Sequence, residues 1–305
     1  KPQGLSILTI FSSNTDSQNE FSFNDTMMES LLKEELQELR ANNLYRKLRT
    51  LRPIDSTHAY FPHPQGEGSL PAARLPARQG QAGERELLLF CGNDYLGLSH
   101  HPRVIERVKK TAEDYGVGAG AARLISGTSN LHTQLEEKIA QFKNKERALV
   151  FTAGYLANVG VLTALAGEKD LIVLDKFCHA SLIDGARLSK AALRVFPHKN
   201  YKKCEEILDK AGDFKKRILV TDTVFSMDGD LADLPELVRL KEKYNCFLIV
   251  DDAHGTGVLG LNGKGAAEDT GLEEKIDVIV GTFSKAFGGL GGFAAASEEI
   301  IDYLI

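Results

Sequence analysis

The chain has 305 residues, 43% hydrophobic and 26% charged, an ordinary globular composition with length for two domains or one large α/β domain. A net charge of −5 gives no basic footprint for nucleic acid, and no apolar run is long enough to span a membrane. The four cysteines, Cys91, Cys178, Cys204 and Cys246, form no Cys-x-x-Cys pair; they read as free thiols of a reducing, cytoplasmic compartment, neither a zinc site nor a disulfide framework.

Residues 1–26 turn from a short apolar stretch, Leu5 to Phe11, to Ser, Asn, Asp and Thr. The stretch lacks the basic flank of a secretory signal, and Asp16, Glu20 and Asp25 are foreign to transit peptides. The natural start is therefore expected at Met27 or Met28, with a disordered or non-native extension before it. Leu32, Leu36 and Leu39, then Leu44, Leu48 and Leu51, predict a helix over Glu29–Leu51 whose second half is basic. Five prolines between Pro53 and Pro76 predict an irregular segment over 53–83, which with the helix makes an N-terminal region of residues 27–85.

A large α/β domain is expected over residues 86–297. It opens with a strand at Leu87–Cys91 and a turn at Gly92–Gly97. A helix opened by Pro102 comes next, then a glycine-rich segment at Gly116–Gly120 and an amphipathic helix carrying Leu131, Leu135, Ile139 and Phe142. Apolar strands are then predicted at Ala148–Thr152, Leu171–Leu174, Leu193–Phe196, Ile218–Thr221, Phe247–Val250, Val278–Val280 and Phe293–Ala296. Helices alternate with them at Ala157–Leu165, Ser181–Leu188, Tyr201–Ala211 and Leu234–Tyr244. Continuous apolar strands between helices imply a mostly parallel seven-stranded sheet with helices on both faces. From Glu298 an amphipathic helix begins, and residues 298–305 are read as the start of a C-terminal small domain that the sequence lacks.

Ligands of open α/β sheets bind beyond the carboxyl ends of the strands. The residues directly after each strand are therefore informative: Ala153-Gly154-Tyr155, Asp175 to His179, Asp222 to Gly229, Asp251-Asp252-Ala253-His254-Gly255, and Thr282-Phe283-Ser284-Lys285. Each alone has a structural reading. Gly154 serves a turn before a helix, His179 a helix cap, Asp251 a turn cap, and Lys285 a solvated strand end. Asp251 and His254 have no third ligand at metal-like spacing, so no metal is expected. Together the groups meet the needs of pyridoxal 5'-phosphate. Its aldehyde needs a lysine amine, its ring nitrogen a carboxylate that keeps it protonated, its phosphate a helix N-terminus, and its flat ring a stacking partner.

Six motifs carry a resemblance over Glu29 to Ile305. They are Asn93–Leu98, Ser126-Gly127-Thr128, His179-Ala180-Ser181, Phe225–Asp230, Asp251–Gly257 and Gly281–Lys285. The chain resembles the α-oxoamine synthases, fold-type-I pyridoxal phosphate transferases that join an amino acid to an acyl-CoA. The resemblance implies that Lys285 bonds the cofactor and later acts as acid and base at the substrate α-carbon. It implies that Asp251 pairs with the ring nitrogen, that His254 and Ser226 bond the phenolic oxygen, and that His179 stacks on the ring. Gly154 and Tyr155 would bind the phosphate through backbone N–H groups and Thr282 through its hydroxyl. Asn93 falls on the substrate side and Arg46 near the acyl-CoA. Asp222 stands where some members have glutamate, which leaves its role open.

The Asp251–Gly257 motif is most similar to the branch that joins L-alanine to a pimeloyl thioester in biotin synthesis. The alternatives are the glycine C-acetyltransferase, 5-aminolevulinate and serine palmitoyl branches, or, in a different class, a non-catalytic scaffold. The family also implies a homodimer with its sites at the interface, and a substrate-carboxylate arginine beyond the present sequence.

Overall fold

The computed structural model describes residues 27–62 and 84–305. The extension expected over residues 1–26, and residues 63–83 of the irregular segment expected over 53–83, lie outside the described residues. The chain divides into two compact units, residues 1–50 and 51–305.

In the first unit the described part is helix α1, Met27–Ala41, and the segment after it. The helix stops well short of the expected Leu51. Asn43 takes the left-handed conformation at φ 54°. The N–H groups of Leu44 and Tyr45 fold back on the Leu39 carbonyl at 2.8 and 3.1 Å. Asparagine tolerates this conformation and ends helices by satisfying their last carbonyls. The leucine spacing past residue 43 is thus not helical, and Arg46 lies outside the helix predicted to carry it.

The second unit opens with a three-stranded antiparallel sheet of β1 (Arg52–Pro53), β2 (His58–Pro62) and β3 (Glu84–Leu88). Sequence reasoning missed β2 inside a proline-rich stretch and placed β3 too late. The prolines stand at strand ends, where a missing donor costs nothing. Asp55 Oδ1 makes the reversal between β1 and β2 by accepting the N–H groups of Thr57 and His58, each at 2.8 Å. Helix α2, Pro102–Tyr115, has proline in its first turn, and helix α3, Asn130–Lys143, opens with a Ser129–His132 capping box.

Strand and helix then alternate: β4 (Arg147–Phe151), α4 (Gly154–Leu165), β5 (Leu171–Asp175), α5 (Ala180–Leu188), β6 (Ala192–Phe196), α6 (Tyr201–Asp209), β7 (Arg217–Asp222), α7 (Leu234–Tyr244), β8 (Phe247–Asp251), α8 (Ala266–Thr270), β9 (Val278–Thr282), β10 (Gly292–Ala296) and α9 (Glu298–Leu304). The seven strands β4 to β10 form one sheet in the order β4-β10-β9-β8-β7-β5-β6. All run parallel except β10, which pairs antiparallel with both of its neighbours.

The continuous apolar runs are explained by two faces that are both covered. On β5, Ile172 and Leu174 enter the core beneath α4 and α5, while Leu171 and Val173 enter the core on the other face with α7. Neighbouring residues of a strand point oppositely, so a strand buried on both sides must be apolar throughout. Each such side chain contributes about 1.5–3 kcal/mol. Helix α9 belongs to the first core: Ile301 is buried there, with Ile300 and Leu304 packed alongside. The helix thus packs Ile300, Ile301 and Leu304 on the chain's own sheet and leaves Tyr303 and Ile305 exposed.

Candidate active site

The parallel strands place their carboxyl ends on one edge. Register sets Asp222 opposite Asp251, and Asp251 opposite Val280. Helix α4 starts at the same edge, just after β4. Between these ends lies a cavity of about 270 Å³ whose walls include Gly154, Tyr155, His179, Ser226, Asp251, His254, Thr282 and Lys285. All eight residues nominated from the sequence for the cofactor therefore come together. Among the described residues no cluster of three or more His, Cys, Asp or Glu has metal-holding geometry.

Lys285 stands in the loop that joins β9 to β10. That loop is pinned by hydrogen bonds from Phe283 N to Gly291 O at 3.0 Å, Gly289 N to Phe283 O at 2.8 Å and Gly288 N to Lys285 O at 2.9 Å. Gly288 has φ 62°, and a Cβ there would fall 2.3 Å from the Ser99 nitrogen, so only glycine closes this turn. Burial holds the Lys285 amine below its ordinary value, opposed by the charges of Asp251 and Asp222.

Asp251 is buried at the floor and both its oxygens are engaged. Oδ1 accepts the Ala253 N–H at 2.9 Å, and Oδ2 accepts from Asn158 Nδ2 at 2.6 Å. Asp222 accepts the His179 N–H at 2.7 Å, which gives it a place the sequence left open: it anchors the backbone of His179. Burial, with the Asp251 carboxylate beside it, pushes Asp222 well above the usual carboxylate range. His179 caps α5, and its Nδ1 lies 2.7 Å from Ser181 Oγ.

His254 Nδ1 lies 2.7 Å from the Tyr95 hydroxyl, which also reaches Asn93 Oδ1 at 3.1 Å. Asn93 thus meets the site through Tyr95. Burial, then the Lys285 charge, holds the His254 imidazole down at about 4, so it is neutral at neutral pH. Thr282 Oγ1 donates to Gly291 O at 2.8 Å and accepts the Ser284 N–H at 3.2 Å. Tyr155 turns its hydroxyl to Asp184 at 2.7 Å, outside the cavity. Arg46 lies in the first unit.

Sequence reasoning passed over Asn158, Ser181 and Tyr95 as site residues. Ser181 and Tyr95 lie within the motifs named for the resemblance. Asn158 had its own signal, a polar side chain inside the apolar run Leu156–Leu165 of α4.

The profile described as "Aminotransferase class I and II" matches residues 85–305. The 8-amino-7-oxononanoate synthase of Geotalea daltonii is 46% identical over 89% of this chain and 64% of its own length. Among solved structures, a variant serine palmitoyltransferase of S. paucimobilis with bound PLP–myriocin aldimine superposes with a TM-score of 0.78. It is 28% identical, over 92% of this chain and 66% of that one. The 8-amino-7-oxononanoate synthase of Francisella tularensis has a TM-score of 0.62 and is 33% identical, over 71% of this chain and 60% of that one. The chain thus spans under two thirds of the length of these relatives. A profile match over most of the chain, with the strand-end residues converging on one cavity, gives its kinship: the chain belongs to the aminotransferase class I and II family.

Proposed function

We propose that this chain forms the cofactor-binding body of a pyridoxal 5'-phosphate acyltransferase. Its reaction joins L-alanine to a pimeloyl thioester with loss of carbon dioxide, giving 8-amino-7-oxononanoate and free coenzyme A for biotin synthesis. The observation that carries the reading is the meeting of one lysine, a buried aspartate, two imidazoles and a glycine-opened helix N-terminus around a single cavity.

The donor set fits the cofactor. A Cβ on Gly154 would approach Thr282 Cβ to 3.1 Å, so glycine leaves the start of α4 open for a phosphate cradle. Gly154 and Tyr155 offer it backbone N–H groups, and Thr282 offers its hydroxyl in exchange for the Gly291 carbonyl. Asp251, fixed at both oxygens, would hold the ring nitrogen, His179 would stack on the ring, and His254 and Ser226 would bond the phenolic oxygen. When bound, the cofactor supplies an electron-accepting ring that takes up charge left on a substrate carbon.

The chain's own residues do the rest. Burial favours the neutral amine of Lys285, the form that attacks a carbonyl and afterwards moves the proton at the substrate α-carbon. His254 stays uncharged and offers a hydrogen bond without adding a cation. On the substrate side Asn93 orients the amino acid, and Arg46 serves the acyl-CoA end. We place the protein in the cytoplasm, in keeping with its free thiols, and pair it as a homodimer with its sites at the interface.

The greater fold overlap with serine palmitoyltransferase favours a second reading, serine as the amino acid. The 46% identity with the oxononanoate synthase outweighs it, because residues choose a substrate and the fold does not. Product analysis of the full-length enzyme with alanine, serine and glycine against acyl thioesters of several lengths tests the choice. Alanine with pimeloyl thioester should dominate; a preference for serine or glycine overturns the assignment. Borohydride reduction should fix the cofactor to the peptide carrying Lys285, and Lys285→Ala should take up none covalently.

A further inference from the structure

Asn158 lies one turn into α4 and is 2% exposed. Its Nδ2 stands 2.6 Å from Asp251 Oδ2 and 2.9 Å from Ser181 Oγ. An ionised carboxylate only accepts, so the amide nitrogen must face Asp251, and its two protons are engaged by the two partners. Ser181, itself fully buried, accepts from Asn158 and so directs its own proton to His179 Nδ1 at 2.7 Å. The Ser181 N–H points at the same atom from 3.3 Å. With two donors on Nδ1, the ring proton of His179 sits on Nε2.

The other end of the carboxamide is unusual. Asn158 Oδ1 is buried and has no hydrogen-bond partner among the described residues. An unmet buried acceptor costs stability that an apolar side chain of the same size would not. Folding alone therefore does not account for an asparagine inside this apolar helix, and local rules tend to be broken at functional positions.

We infer that Asn158 is a positioning residue: one carboxamide orients Asp251 directly and fixes the tautomer of His179 through Ser181. Its consequence for binding rests on the proposed pyridoxal phosphate site. There it couples the group that holds the ring nitrogen to the group that stacks on the ring. It also keeps two donors on Nδ1 of the stacked imidazole and so leaves the ring proton on Nε2.

The test uses the full-length protein freed of cofactor, with isotope-labelled histidine read by long-range proton–nitrogen NMR. His179 is identified by the signal missing in His179→Gln. The wild type should show a single tautomer, protonated at Nε2. Asn158→Leu, which keeps the volume, and Ser181→Ala, which breaks only the relay, should each give mixed tautomers. After adding back pyridoxal phosphate, Asn158→Leu should weaken its binding by roughly tenfold to a hundredfold, the usual loss when a supporting contact is removed. Ser181→Ala keeps the inference testable if Asn158→Leu does not fold. A wild-type ring protonated at Nδ1, or a tautomer unchanged in both variants, overturns the inference. The expected tautomers without any uptake of cofactor support the relay and overturn the proposed function instead.

Discussion

Gly154 and Gly292 meet backbone to backbone where α4 begins beside β10. A Cβ on Gly292 would lie 2.5 Å from Gly154 Cα, and no flexible side chain stands there to yield. Gly292→Ala should therefore lose about 1–3 kcal/mol of stability in urea unfolding. Gly118→Ala, whose Cβ meets nothing within 4 Å, should stay within about 0.5 kcal/mol of the wild type. His254 makes a different prediction. Its imidazole is held at about 4 against an ordinary 6.5, so the unfolded chain takes up the proton more readily than the folded one. Its contribution to stability is whole above 6.5 and is lost as the pH falls toward about 4. His254→Gln should flatten the fall in unfolding free energy across that interval, measured in parallel with the wild type. At this scale the sequence was legible wherever a polar group directly followed an apolar strand, as Asp251 and Lys285 do. Asn158 and Tyr95 were not legible as site residues. Their meaning comes from Asp251 and His254, partners 93 and 159 positions away.

Among the elements, α3 is held to the sheet by its last residue. Lys143 is 1% exposed, and its Nζ reaches Asp252 Oδ2 at 2.9 Å, Thr256 Oγ1 at 2.6 Å and the Lys264 carbonyl at 2.6 Å. Asp252 also accepts from Thr223 Oγ1 at 2.6 Å, so one carboxylate joins α3, the end of β7 and the loop that carries His254. Truncating the lysine would leave that carboxylate buried without its counter-charge. Lys143→Met should cost about 3–5 kcal/mol, seen as a lower denaturant midpoint at unchanged slope. The parallel strands were readable because burial on both faces forces apolar runs. The end of α1 was not, because leucines at helical spacing continue beyond Asn43 while the backbone turns left-handed there. Strand β2 was hidden for the opposite reason. The prolines around it suggest a loop, and Pro62 is harmless only because it is the last residue of the strand.

For the whole molecule, walls of the cavity come from segments as far apart as Ala153 and Lys285, so filling it ties most of the sheet together. Pyridoxal phosphate at a hundred times its dissociation constant should raise unfolding free energy by about 2.7 kcal/mol, measured by thermal or urea unfolding with and without it. The fold class was legible in full, since alternation of apolar strand and helix permits few other arrangements. The order of the strands was not, and one feature of that order reaches beyond the finished structure. The antiparallel β10 lies between β4 and β9, and among the described residues β4 has no other partner in the sheet. On the ribosome β4 is made long before β10. Domains generally fold as units while synthesis runs at about 5–20 residues per second. An emerging chain thus carries β4 without its β10 partner for roughly 7–30 seconds, until residue 296 leaves the exit tunnel. Only then are the start of α4 and Lys285 brought to the same cavity. Until that moment a nascent chain has no complete pocket in which to trap a reactive aldehyde, and its exposed strand is a natural point of attention for chaperones.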